Sequence, residues 1–315
     1  MSDKNAILVT GSDLAPEALA MLHTYEVIFA GRQPSEDQLV ALCEKHHPIA
    51  IIVHYGKITA RIMDASPRLR VISKHGSGID VIDQSAAAER NISVQSAPGA
   101  NAAAVDEHTW AMILASAKSV LPLDRRLREW HRDKSIHKSI ELAGRTLGLV
   151  GLGAIGSRVA AIGQAFGMQV IVHDPWAKTF PEACESVTLQ KLLRSADVIS
   201  LHCPLTDENR HMLNSETLAL CKPGAILVNT ARGGLIDEQA LLAALESGAL
   251  SWAALESFTS EPLTAPHLWQ PVSNVILSPH IGDVSDTSYI RMGTAEAGNV
   301  LKVLQQAETE KGDAA

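Results

Sequence analysis

Short runs of apolar, β-branched residues alternate with alanine-rich stretches of helical period along most of the chain. In the first third these runs are Ala6–Thr10, Val27–Phe29, Ile49–Val53, Val71–Ser73 and Ile92–Gln95. Near-continuous apolar runs mark strands buried on both faces, and their alternation with helices predicts a parallel sheet. A second series follows at Thr146–Gly151, Gln169–Asp174, Val198–His202, Ala225–Asn229, Leu250–Leu255 and Val275–Leu277. Two such series predict two doubly wound α/β domains.

Between the series a helix is predicted from Asn101 to Ala117, with Asn101 as its N-cap and Pro122 breaking the pattern beyond it. A last helix is predicted from Asp286 to Gln305, with Ile290, Met292, Ala297, Val300, Leu301 and Leu304 on one apolar stripe and Glu308–Ala315 as a frayed tail. The first domain is expected to comprise residues 1–99 with a return of 286–315, and the second residues 100–285.

The composition narrows the function classes. Of 315 residues, 46% are hydrophobic and 20% charged, a globular balance. The net charge of −8 and the lack of a basic run disfavour nucleic acid or an anionic membrane as partner. No apolar stretch approaches the ~20 residues of a membrane helix, and no signal-peptide core is evident. Cys43, Cys184, Cys203 and Cys221 are scattered without CxxC spacing, so neither a metal site nor a disulfide framework is expected. A reducing cytoplasm is the expected compartment.

The strongest local signal is Gly151-Leu152-Gly153-Ala154-Ile155-Gly156, set between an apolar strand and a helical stretch. In that context GxGxxG is a dinucleotide fingerprint: glycines for a tight turn, and helical N–H groups for a pyrophosphate. The next strand ends in Asp174, 18 residues after Gly156. An acid there accepts ribose hydroxyls and repels a 2′-phosphate, so the cofactor is expected to be NAD.

Three further side chains are candidates for chemistry. Arg232, just past the strand Ala225–Asn229, offers a planar fork for carboxylate and carbonyl oxygens. His280, just past Val275–Leu277, titrates near neutrality and suits a proton donor. Glu261, in a Glu-Pro turn, suits a partner that keeps that imidazole charged.

With these residues the chain resembles the D-2-hydroxyacid dehydrogenase family, the phosphoglycerate dehydrogenase and hydroxypyruvate reductase group. The resemblance rests on Lys74–Asp80, Ala97–Asn101, Gly151–Gly156, Leu201–Thr206, Val228–Gly234, Glu261-Pro262 and Ser278–Gly282. It implies a Rossmann nucleotide domain and a flavodoxin-like substrate domain. It implies hydride transfer between NAD and a 2-keto or D-2-hydroxy acid, catalysed by Arg232, Glu261 and His280. Ser77, Gly151, Gly153, Ala154, Ile155, Gly156, Asp174, Cys203, Pro204, Thr230, Ala231 and Glu256 would contact cofactor. Gly76, Ser77, Gly78, Arg232, Lys74, His54 and Asn101 would contact substrate. A homodimer contacting through Ala102–Arg145 is implied as well.

Two departures from the family pattern stand out. Relatives read Ala-Leu-Asp-Val-Phe where this chain reads Ala254-Leu255-Glu256-Ser257-Phe258, and Val-Arg-Ser where it reads Val53-His54-Tyr55-Gly56. Loss of that Arg weakens the case for a phosphorylated substrate. Yet His54, Lys57, Lys74 and His75 cluster at two strand ends, and some of them are expected to face an anionic or strongly polar substrate group. A corepressor-type NAD-sensing scaffold of the same fold is the alternative reading.

Overall fold

The computed structural model describes residues 4–132 and 138–312. Residues 133–137, within the expected contact stretch, and 313–315, within the expected tail, lie outside the described residues. By contact the chain divides into Met1–Asn101 with Asp283–Ala315, and Ala102–Gly282.

The first unit alternates β1 (Ala6–Val9), α1 (Pro16–Met21), β2 (Glu26–Phe29), α2 (Glu36–His46), β3 (Ala50–Val53), α3 (Ala60–Asp64), β4 (Val71–Lys74), α4 (Gln84–Glu89) and β5 (Ser93–Gln95). All pairings are parallel, in the order β2-β1-β3-β4-β5. That is the flavodoxin-like order of a doubly wound sheet. The central strands β1 and β3 are buried at every position, which is why they read as unbroken apolar runs. One face of the sheet packs Leu39, Ile62, Ile72 and Ala87 around Ile51 and Val53. The other packs Leu14, Ala18 and Leu22 with Ala297, Val300 and Leu304.

The second unit opens with α5 (Ala102–Lys118) and α6 (Val120–Arg128). It continues β6 (Thr146–Val150), α7 (Ala154–Ala165), β7 (Gln169–His173), β8 (Cys184–Ser186), α8 (Leu189–Ser195) and β9 (Val198–Leu201). Then come α9 (Ser215–Leu218), β10 (Ala225–Asn229), α10 (Glu238–Glu246), β11 (Leu250–Leu255) and β12 (Val275–Leu277). Its parallel sheet runs β12-β11-β10-β9-β6-β7-β8, so the order reverses at β6, the switch point where such sheets bind dinucleotides. The chain then returns as α11 (Asp286–Gly312), which packs on α1 and β4 of the first unit.

Three expectations are corrected. Pro122 does not end helical structure: α5 stops at Ser119, in left-handed backbone, and Pro122 lies in the first turn of α6. There its missing N–H is one of the four without an intrahelical acceptor. Helix α11 continues well past Gln305, and Ile290 faces solvent while Met292, Ala297, Val300 and Leu304 are buried. The edge strand β8 is additional: its residues Cys184-Glu185-Ser186 carry no apolar run, and pairing with β7 makes it a strand.

Candidate active site

The glycines of the nucleotide turn divide by what surrounds them. Gly151 has φ +99°, and a Cβ there would lie 2.7 Å from the carbonyl oxygen of His202. A Cβ on Gly156 would lie 2.2 Å from the carbonyl oxygen of Gly151. Both glycines are therefore demanded by the protein's own packing. Gly153, the N-cap of α7, has nothing within 4 Å of its Cβ position. A glycine left open at a helix start lets a ligand approach the backbone. Ala154 and Ile155 begin the twelve-residue α7, whose first N–H groups and positive dipole end suit a pyrophosphate.

Asp174 follows β7 and joins that turn to the end of its strand. One carboxylate oxygen accepts the N–H of Leu152 at 2.7 Å; the other accepts Trp176 at 2.9 Å and Ala177 at 3.0 Å. Asp174 remains partly exposed, and a carboxylate has about four acceptor positions, so room remains for a ribose hydroxyl. These residues fit a dinucleotide.

Cys203 and Pro204 follow β9, where Asn209 Nδ2 donates to the Pro204 carbonyl at 2.7 Å. Burial pushes the Cys203 thiol up to about 11. The neighbouring His202, not singled out in the sequence, has its imidazole pushed down to about 4 by burial and packs Nε2 at 2.9 Å from Ser200 Oγ. It is a neutral packing residue at neutral pH. Thr230 Oγ1 lies 2.9 Å from Thr109 Oγ1, which ties the end of β10 to α5, and the Ala231 N–H donates to Asn229 Oδ1 at 3.0 Å.

Arg232, three residues past the end of β10, caps the 3-10 turn Gly233–Leu235, and Asn229 Nδ2 donates to its carbonyl at 2.9 Å. Gly233 must be glycine, because a Cβ would fall 2.0 Å from the carbonyl carbon of Phe258. Phe258 in turn gives its N–H to Glu261 Oε1 at 2.8 Å. The other oxygen of Glu261 lies 2.8 Å from His280 Nδ1. That hydrogen bond raises the His280 pKa above its ordinary value, against partial burial and the nearby Arg232 guanidinium. Burial works to raise Glu261, but the contacts with His280 and the Phe258 N–H outweigh it and hold the carboxyl below its ordinary range. His280 itself sits at φ +57°, a conformation unusual for a side-chain-bearing residue.

Glu256, at the end of β11, is almost fully buried. Its Oε1 accepts the N–H of Ile281 at 2.8 Å and also that of Gly282. His108 on α5 approaches the same oxygen at 3.5 Å and lies 3.1 Å from Ser278 Oγ. Burial pushes the Glu256 carboxyl above its ordinary value, against the pull of His108 and the two N–H groups. The longer side chain thus reaches the backbone just beyond His280. His108 and Ser278 were not legible as part of this group, since α5 and β12 meet only in the fold.

In the first unit, Gly76 follows β4 with φ +94°; its Cβ position lies 3.7 Å from Asn101 Nδ2. Ser77 is exposed and Gly78 partly so. Asn101 is buried, so the structure does bring it to the glycine turn. Three of the four side chains in the expected cationic cluster have partners within this unit; Lys57 is exposed. His54 Nε2 and His75 Nδ1 lie 3.2 and 3.1 Å from the two carboxylate oxygens of Glu296, a wholly buried residue of α11. Lys74 Nζ donates to the carbonyls of His75 at 2.7 Å and Val53 at 3.1 Å. These three side chains are therefore engaged inside the unit, the imidazoles by an acid 221 residues from His75.

Comparison with known proteins agrees with this geometry. Residues 110–282 match the model of the D-isomer specific 2-hydroxyacid dehydrogenase NAD binding domain. A glyoxylate reductase of Aeropyrum pernix is 37% identical, over 93% of this chain and 91% of the relative. A D-3-phosphoglycerate dehydrogenase of Methanocaldococcus jannaschii is 39% identical over 81% of this chain, which spans only 49% of that longer relative. The structure of a D-lactate dehydrogenase from Aquifex aeolicus, complexed with NAD and lactic acid, superposes with a TM-score of 0.84 at 30% identity, covering 97% of each chain. The corepressor-type alternative gains no support from these matches. On the strength of the glycine turn, the His280–Glu261 pair and these matches, the chain belongs to the D-isomer-specific 2-hydroxyacid dehydrogenases, NAD-dependent oxidoreductases.

Proposed function

We propose that this NAD-dependent enzyme reduces a small 2-keto acid with His280 as proton donor, Glu261 as its partner and Arg232 as the cation that orients the substrate. The observation that carries this reading is the 2.8 Å contact between His280 Nδ1 and Glu261 Oε2, which leaves Nε2 as the ring atom for the substrate. NAD(H), when bound along the Gly151–Gly156 turn, supplies the hydride. His280 then gives its proton to the carbonyl oxygen as hydride reaches C2, and the reverse steps oxidise the D-2-hydroxy acid. The Arg232 fork holds carboxylate and carbonyl oxygens and stabilises charge developing on the latter. The Gly76–Gly78 turn, with Asn101, is suited to a carboxylate through its N–H groups.

The similarity to a glyoxylate reductase supports small 2-keto acids such as glyoxylate and hydroxypyruvate as the first substrates to try. NADH consumption with a panel of 2-keto acids tests the reading. The parent should turn over at least one small member of the panel, and His280→Asn should turn over none at a comparable rate. Parental rates in His280→Asn would overturn it.

We also propose a cytoplasmic homodimer. The four cysteines are free thiols, as in a reducing compartment, and no described helix is long and apolar enough to cross a membrane. On and just after α6, Val120, Leu121, Leu127 and Trp130 are exposed, a surface suited to a second copy. Sedimentation equilibrium tests it: a parent that sediments as a monomer would refute the dimer.

A further inference from the structure

The buried group formed by His54, His75 and Glu296 has no role in the reaction above. Its three parts come from rigid elements. His54 and His75 each follow the last residue of a strand, on the neighbouring strands β3 and β4, which pair with Val53 opposite Lys74. Glu296 projects from α11, which packs on β4. The two imidazole rings lie 4.2 Å apart, centre to centre. The side chains of His54, His75 and Glu296 are 6%, 14% and 0% exposed. Gly11 makes room for this arrangement, since a Cβ there would lie 2.8 Å from His54 Nδ1.

A carboxylate in such a place requires compensation, because burying an isolated charge is very costly. The two imidazoles each meet one of its oxygens. A cation shared by all three groups would supply that compensation and use the same donor atoms. Two imidazole nitrogens and one carboxylate oxygen form the three-ligand set of an open zinc site, with a fourth position left for water. This borderline donor set suits Zn2+, Co2+ and their first-row neighbours, not Ca2+ or Mg2+, which take oxygen ligands. The spacing is also suitable. Tetrahedral zinc with bonds of ~2.0–2.1 Å holds its ligand atoms roughly 3.3 Å apart. The two imidazole nitrogens stand 3.2 and 3.1 Å from the carboxylate oxygens, and all the donor atoms fall within 4.8 Å of one another.

We propose that His54, His75 and Glu296 form a site for a divalent transition ion of the zinc class. Such an ion clips the carboxyl ends of β3 and β4 to α11, one residue before the Gly76 turn. The site stands apart from the reading of Arg232, Glu261 and His280, and its test does not depend on activity.

The probes are Zn2+ and Co2+ added to chelator-treated full-length protein. Calorimetric titration with Zn2+ should show one tight site per chain, and Co2+ should develop the intense visible bands of a four-coordinate ion. Zn2+ should also raise the melting temperature, since binding to the folded state alone stabilises it. Glu296→Gln and His75→Gln, which retain polar groups of similar reach, should each weaken Zn2+ binding by at least ~10–100-fold, the loss that even outer-shell partners produce. They should also abolish the thermal shift. If a variant fails to fold, X-ray absorption on the Zn2+-loaded parent decides in its place, through a two-imidazole shell at about 2.0–2.1 Å. Absence of a tight site in the parent, equal binding by the variants, or a shell without two imidazoles would overturn the proposal. In that case the cluster is a hydrogen-bonded one, and any bound metal belongs to surface histidines.

Discussion

Glu256 and Gly282 are in such close contact that the glycine has no space for a side chain: a Cβ on Gly282 would lie 2.6 Å from Glu256 Oε2. The same carboxylate accepts the N–H groups of Ile281 and Gly282, which directly follow His280. An acid at the end of β11 therefore holds the backbone on which the proposed proton donor is mounted. Two substitutions probe this. Gly282→Ala should cost ~1–3 kcal/mol by overpacking. Glu256→Asp shortens the acceptor by one methylene and should leave buried N–H groups unpaired, at about 1–3 kcal/mol each. Urea denaturation midpoints measure both, and a midpoint equal to the parent's in either variant contradicts the account.

The two essential glycines of the nucleotide turn should fail differently from the open one. Gly156→Ala puts a methyl group against the backbone of Gly151 and should lower both the melting temperature and NADH affinity. Gly153→Ala meets nothing in the protein, so it should melt near the parental temperature and lose NADH affinity alone. Fluorescence titration with NADH beside thermal melts separates the two; equal thermal loss in both variants would refute the distinction.

Asp174→Ala should narrow the preference for NADH over NADPH, mainly by weakening NADH. It should also lower stability, because the N–H groups of Leu152, Trp176 and Ala177 lose their acceptor. The ratio of kcat/KM for the two cofactors is the measurement. A parent that uses NADPH as well as NADH would remove the ribose assignment.

The His280–Glu261 pair has a definite pH signature. His280 is raised by Glu261, so its charged form persists above the ordinary histidine range and keto-acid reduction should persist with it. Glu261→Gln keeps the shape but removes the charge, so reduction should fall away at lower pH than in the parent. His280→Asn should cost about 10²–10⁴-fold in rate, the usual worth of a general acid. Linkage to stability has two signs. The stabilisation from His280 is complete below its unfolded value of ~6.5 and is lost as pH rises through its raised folded value. That from Glu261 is present above ~4.3 and is lost as pH falls through its lowered folded value. The pair is therefore most stabilising between those limits. An unchanged pH–rate profile in Glu261→Gln would reject the pairing.

Thiol chemistry offers a check on packing. Burial pushes Cys43 up to about 12 and Cys203 and Cys221 up to about 11, and also raises Cys184. Since the thiolate is the nucleophile, alkylation of the native protein at neutral pH should be far slower than of the unfolded chain. Mass spectrometry after brief iodoacetamide treatment reads this directly, and rapid labelling of native Cys203 would show that its loop opens.

The sequence alone determined those features that arise from local, periodic or contiguous patterns. Strands β3, β6, β9 and β10 are continuous or near-continuous apolar runs because a parallel sheet covered on both faces demands them. The nucleotide turn was legible because its three glycines, strand and helix are contiguous, and Arg232 and His280 because each lies three residues past the end of an apolar strand. Tertiary structure decided what depends on residues distant in the chain. Cys184–Ser186 becomes a strand only through β7, and Ile290 is exposed because α11 turns other residues toward α1 and β4. Glu256 was legible as an acid, but its hold on the Ile281 and Gly282 backbone was not. The partners of His54, Lys74 and His75 were not legible for the same reason. The acid that meets both imidazoles lies on the last helix, and an electrostatic contact is set by separation in space rather than along the sequence.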